Sequence, residues 1–151
     1  ANAQEKSNNW IKQCTKNSKG TRICLTASNI FVSKPRRARL AGVAIRVEDK
    51  QPIKAMLVVL PLGTFLTPGF TMRVDEGEAH KGIFTTCLRD GCHAQFQLTD
   101  SIYDELRKGK KLHLIYITQR RRKVNVAIPL GGFSKAIDGP AIIPAELAKK
   151  K

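Results

Sequence analysis

The chain is 151 residues long and 42% hydrophobic, and it carries 27 Lys and Arg against 12 Asp and Glu, a formal net charge of +15. That length suits one domain with a real core, and that hydrophobic share excludes an intrinsically disordered chain. The longest apolar stretch, "AMLVVLPLG", is broken by Pro61 and falls far short of the roughly 20 apolar residues that a membrane-spanning helix needs.

The chain starts Ala-Asn-Ala-Gln, without Met, as in a mature protein whose signal peptide has been removed or in a chain trimmed at its start. Short β-branched or apolar runs bounded by Gly, Pro, Asn and Asp clusters then predict strands over 9–16, 21–27, 40–48, 54–61, 70–75, 82–88, 92–98, 112–118 and 123–130. Their regular spacing predicts a mainly β fold, an antiparallel β-sandwich or barrel-like domain over 1–151.

The first hairpin is "CTKNSKGTRIC". A three-residue loop Ser18-Lys19-Gly20, with Gly20 left-handed, closes Asn17 against Thr21. It opposes Cys14 to Cys24 at a non-hydrogen-bonded site, where the Cα atoms come close enough for a disulfide. Next comes "SKPRRAR", which offers Lys34, Arg36, Arg37 and Arg39. It lies in a window between Glu5 and Glu48 with ten basic residues and no acid. Asp75, Glu76 and Glu78 in "VDEGEA" read as a solvated hairpin turn, the enzymatic alternative being a carboxylate pair for acid–base work. His80, in "EGEAHKG", reads as part of an exposed turn.

In "TTCLRDGCHAQF" (85–96) Cys87 and Cys92 flank Leu-Arg-Asp-Gly. A two-residue loop at Arg89-Asp90 opposes the cysteines, and so does a four-residue loop with Gly91 left-handed. A three-residue loop opposes Cys87 to His93 and sends the sulfurs to opposite faces, so a disulfide here demands an even loop. Redox and metal readings are weaker. No Cys-x-x-Cys occurs, the tight spacing of zinc knuckles is missing, and His93 faces away from Cys92. The pairs Cys14–Cys24 and Cys87–Cys92 imply an oxidising compartment, periplasmic or extracellular, with no metal or cofactor expected.

"TDSIYDELRKG" predicts a helix near 100–108. Thr99 or Asp100 caps it, Arg107 and Lys108 fill its last turn, and Gly109 stops it. Ile102, Tyr103 and Leu106 form a narrow apolar face that should lie on the sheet as a lid. "RKGKK" places Arg107, Lys108, Lys110 and Lys111 together, and "TQRRRK" places Arg120, Arg121, Arg122 and Lys123 at the tip of a hairpin over 112–128. The window from Glu105 to Asp138 holds nine basic residues and no acid. A short C-terminal helix is expected from Pro144 in "IPAELAKKK".

Arginine forks suit phosphate, sulfate or carboxylate. Aromatics make up only 6% of the chain and do not interleave with the arginines, which counts against single-stranded nucleic acid. An anionic surface fits these clusters better, whether lipid headgroups, lipopolysaccharide or sulfated glycan. No Gly-x-Ser-x-Gly, Walker loop or His-Glu-x-x-His occurs, and Ser134 has no evident His partner, so no catalytic residue is assigned. "VVLPLGTF" (58–65) resembles "VAIPLGGF" (126–133) at an offset of 68 that also lays Cys24 on Cys92. This suggests an internal duplication of about 10–69 and 80–137, against the alternative of chance likeness between strand–turn segments.

Five segments together resemble the invasion-associated locus B family of alphaproteobacterial secreted proteins: "NNWIKQC" with Cys24, "LVVLPLGTFLTPGFTMRVDEGE", "FTTCLRDGCHAQF", "IYDELRKGKKL" and "VAIPLGGFSKAIDGP". They span nearly the whole chain in family order. The resemblance implies an exported protein, periplasmic, outer membrane-associated or secreted, linked to invasion of host cells, erythrocytes above all. A host-cell protein then joins the anionic surfaces as a partner. A general envelope role, structural or chaperone-like and without a host ligand, is the alternative. The family has no established catalytic residues to carry over. Arg120–Arg122 is a departure from the family pattern.

Overall fold

A computed structural model describes residues 5–7, 10–32, 39–51 and 54–141. It is mainly β, as expected. The elements are β1 (Glu5–Ser7), β2 (Ile11–Lys16), β3 (Arg22–Val32), β4 (Arg39–Glu48), β5 (Lys54–Leu60), β6 (Phe70–Val74), β7 (His80–Gly82), β8 (Phe84–Leu88), β9 (Gly91–Leu98), α1 (Asp100–Lys108), β10 (Lys111–Ile117), β11 (Lys123–Pro129) and α2 (Phe133–Asp138). They form two antiparallel sheets. One has seven strands in the order β1-β3-β4-β5-β9-β8, with β2 also pairing with β3. The other has four in the order β11-β10-β6-β7.

Alternation along the strands sends one face of each sheet inward. Ile45, Met56, Val58 and Leu60 from the larger sheet meet Met72, Leu112, Leu114 and Ile128 from the smaller in one hydrophobic core. Ile102 and Leu106 of α1 and Phe133 and Ile137 of α2 are buried in the same core. As expected, Thr99 caps α1 by accepting from the Ile102 amide at 3.2 Å, and Gly109 ends it.

The predicted strand over 82–88 is two strands in two sheets. β7 pairs with β6 and β8 with β9, and the chain changes sheet at Ile83. Gly82 makes the corner work: a Cβ there would sit 2.3 Å from the Phe70 ring. His80 is not part of an exposed turn. It opens β7, and its Nε2 lies 3.3 Å from Glu105 Oε1 on α1.

The helix expected from Pro144 lies outside the described residues. The second helix among them is α2, and a lysine of β2 helps hold it. Lys12 donates from Nζ to the carbonyls of Ile137 and Gly139, both at 2.9 Å, which suits a cation at a helix C-terminus. Trp10 donates to the Pro129 carbonyl at 2.9 Å, and its ring packs edge-on to Phe133 at 4.9 Å.

The 68-residue offset aligns the sequence but not the pairing. It carries Val43↔Val58 onto 111↔126, since 43 + 68 = 111 and 58 + 68 = 126. Lys111 instead pairs with Pro129. The hairpin β4–β5 also shares a sheet with β2–β3, whereas β10–β11 lies in the other sheet from β8–β9. The internal duplication is thus a proposal from sequence likeness alone.

Candidate anion-binding surface

All four cysteines are paired, Cys14–Cys24 and Cys87–Cys92. Both hairpins have the expected registers. Cys14 opposes Cys24, the Asn17 amide donates to the Thr21 carbonyl at 3.0 Å, and Gly20 has φ +81°. In the second hairpin Leu88 opposes Gly91 and Cys87 opposes Cys92, so Arg89-Asp90 is the even, two-residue loop. Gly91 has φ +141°, and a Cβ there would lie 2.5 Å from the Leu60 carbonyl oxygen. His93 faces away from Cys92 and holds Asp90, Nε2 to Oδ1 at 2.7 Å. Among the described residues no group of three His, Cys, Asp or Glu could hold a metal ion. The bridges are consistent with an exported protein.

Topology divides the basic clusters between two ends of the sandwich. β10 begins at Lys111 and ends at Ile117, so its two ends are roughly 20 Å apart at about 3.3 Å per residue. Arg107, Lys108, Lys110 and Lys111 sit at the first end, among acids. Arg107 forks onto Asp138, at 2.9 Å to Oδ1 and 2.7 Å to Oδ2, and also donates to the Tyr103 hydroxyl at 3.3 Å. This fork holds the Asp138 carboxyl below the usual carboxylate range. Lys108 borders a depression shared with Asp75, Asp104 and Glu105.

Asp75 belongs to a tight turn. It has φ +51°, and its carboxylate accepts from the amides of Lys110 and Lys111, the shorter contact at 3.0 Å. Those two bonds hold its pKa below the ordinary value. The carboxylate thus ties β6 to the start of β10.

Arg120, Arg121, Arg122 and Lys123 occupy the other end, at the β10–β11 turn, and all are exposed. The turn closes where Thr118 donates from its amide to the Arg122 carbonyl at 2.9 Å, with Arg121 left-handed at φ +65°. None of these four has a carboxylate partner among the described residues. The loop 61–69 lies alongside. Phe65 donates from its amide to the Ile117 carbonyl at 2.7 Å, and Gln119 to the Gly63 carbonyl at 2.8 Å. The Arg121 guanidinium stands 4.7 Å over the Phe65 ring.

Arg39 lies at this end too but is already engaged. It donates to the Asn29 side chain at 3.2 Å and the Asp90 carbonyl at 3.1 Å, and its Nη2 lies 3.5 Å from Asp90 Oδ2. Lys34, Arg36 and Arg37 lie outside the described residues, between strands that end at Val32 and restart at Arg39. Among the described side chains, Asp90 is the one acid at this end. The hydrogen bond from His93, aided by Arg39, keeps its carboxyl below the ordinary range. The loop 61–69 escaped the sequence reading because it carries no charge, although "PLGTFLTPG" beside an arginine hairpin is a signal of its own.

A family model described as Invasion associated locus B (IalB) protein matches residues 10–141. Among solved structures, the crystal structure of invasion associated protein B from Bartonella henselae is similar, with a TM-score of 0.76 and 20% identity over 91% of this chain and 93% of that one. At that identity the likeness speaks for the fold. No curated protein matches the sequence. Because the family match takes in both disulfide hairpins, α1 and α2, the chain belongs to the invasion associated locus B family.

Proposed function

We propose that this protein is an exported, non-enzymatic protein of the bacterial envelope, periplasmic, outer membrane-associated or secreted, that contributes to entry into host cells such as erythrocytes by meeting an anionic surface end-on. One observation carries this reading: Arg120, Arg121 and Arg122 project unpaired from one end of the sandwich, while Asp75, Asp104, Glu105 and Asp138 gather at the other. A fixed separation of charge orients a protein in the field of an anionic surface, where net charge alone only attracts it. Family membership supports the invasion role and the disulfides support export.

Binding to immobilised heparin, measured against salt, tests it. Arg120→Ala/Arg121→Ala/Arg122→Ala should elute at markedly lower salt than the wild type. Identical and salt-insensitive behaviour of the two proteins overturns the reading.

The outer face of the seven-stranded sheet favours a second reading, an envelope module that binds other bacterial proteins. Ala27, Gly42, Leu57 and Val59 line a shallow hollow of about 250 Å³ on that face, and Leu25 nearby is 38% exposed. Capture of defined outer-membrane proteins from envelope extracts, lost on Leu57→Lys, would support it.

A further inference from the structure

Resting on the anionic-surface reading above, we propose that the surface is a bilayer containing anionic phospholipid, and that Leu62 and Leu66 enter it beside the headgroups that Arg120, Arg121 and Arg122 contact. Leu62 is 58% exposed and Leu66 43% exposed. Scattered exposed leucines need no explanation, but these two share a nine-residue loop, 61–69, that carries no charge and is bonded to the arginine turn. A third exposed leucine, Leu88 at 56%, adjoins the Arg89-Asp90 turn at the same end.

The loop is built to hold its leucines outward. Thr64 donates from its hydroxyl to the Pro61 carbonyl at 2.7 Å, and the Gly69 amide donates to the Leu66 carbonyl at 2.9 Å. With the two bonds to β10 and the turn beyond it, these four hydrogen bonds fix the loop before any partner arrives, so little ordering entropy opposes docking.

Phe65 lies beneath the Arg121 guanidinium, which covers one apolar face of the cation and leaves its N–H edge for phosphate oxygens. Apolar side chains flanked by cations are the pattern of proteins that lie in a bilayer interface, because hydrocarbon receives the first and anionic headgroups the second. A sulfated polysaccharide would satisfy the arginines equally well but offers nothing to two exposed leucines. Asp90 does not spoil the field, being engaged by Arg39 and His93.

Cosedimentation with phosphatidylcholine vesicles, with and without phosphatidylglycerol, tests the assignment alongside heparin elution. The wild type should bind only the vesicles that contain phosphatidylglycerol. Leu62→Ser/Leu66→Ser should bind them about tenfold more weakly, since two leucines lose their burial, and should elute from heparin at the wild-type salt. Both positions are exposed, so an unchanged melting curve confirms that the fold is intact. Arg120→Ala/Arg121→Ala/Arg122→Ala should weaken on both supports, by about a hundredfold on vesicles at about fivefold per arginine.

Wild-type binding to heparin without binding to vesicles overturns the lipid assignment and leaves the anionic-surface reading standing. So does vesicle binding that the leucine variant does not weaken. A wild type that binds neither support overturns both.

Discussion

Arg39 and Arg107 look in the chain like members of basic clusters, yet each is tied to a carboxylate far away in sequence. Arg39 reaches Asp90, and Arg107 reaches Asp138, 31 residues on. Local reading of "SKPRRAR" and "RKGKK" counts every cation as available, because it is the tertiary fold that decides which of them meet acids. The Arg107 fork also sets a pH dependence. It holds the Asp138 carboxyl below its ordinary 3.8, so in the window below that value the unfolded chain binds a proton that the folded chain does not. Stability is therefore present above about pH 4 and lost as pH falls through the folded pKa. Asp138→Asn should flatten the acid limb of a plot of melting temperature against pH between about pH 5 and pH 2. Asp75 and Asp90, lowered by their own hydrogen bonds, keep part of that limb. An acid limb unchanged by the substitution would mean that this exposed fork contributes no measurable stability.

The two cysteine hairpins were readable from sequence because loop length and side-chain alternation determine register within a dozen residues, with no help from the rest of the fold. Elements whose causes are distant were not. α2 has six residues and no side-chain cap at Gly132; its positions Phe133, Ala136 and Ile137 give one apolar turn, and Lys12 and Trp10 supply the rest. The break at Ile83 carries no turn signal, since Gly82 is there to fit beneath Phe70.

The staples differ in a way the chain-entropy argument can predict. Cys14–Cys24 spans 10 residues and Cys87–Cys92 spans 5. Each should contribute about 2–3 kcal/mol, the longer loop roughly half a kcal/mol more. Denaturant titration of Cys14→Ala/Cys24→Ala and Cys87→Ala/Cys92→Ala checks the order. A larger loss at 87–92 would mean that packing around the buried Cys92, and not the entropy of the unfolded chain, sets the contribution.

At the scale of the whole molecule, composition shows a charge of +15 but not its direction. The antiparallel β10 supplies that, because its two ends carry "RKGKK" and "TQRRRK" to opposite ends of the sandwich. The acids then follow the first cluster: Asp75 accepts from the backbone amides of Lys110 and Lys111, Asp138 takes the Arg107 guanidinium, and Asp104 and Glu105 share a hollow with Lys108. The second cluster has no such company: Asp90, the one acid among the described side chains at its end, is engaged by Arg39 and His93. Two triple variants separate direction from amount. Arg120→Ala/Arg121→Ala/Arg122→Ala and Lys108→Ala/Lys110→Ala/Lys111→Ala each remove three charges, taking the formal charge from +15 to 15 − 3 = +12. If the field acts through one end, the arginine variant should shorten the salt dependence of heparin binding by about three charge contacts, as counterion release requires. The lysine variant should lose less, because the acids gathered at that end oppose the field of its cations. Equal losses in the two variants would mean that the protein answers to its net charge, with no preferred end, and would remove the reason for placing the contact at the arginine turn.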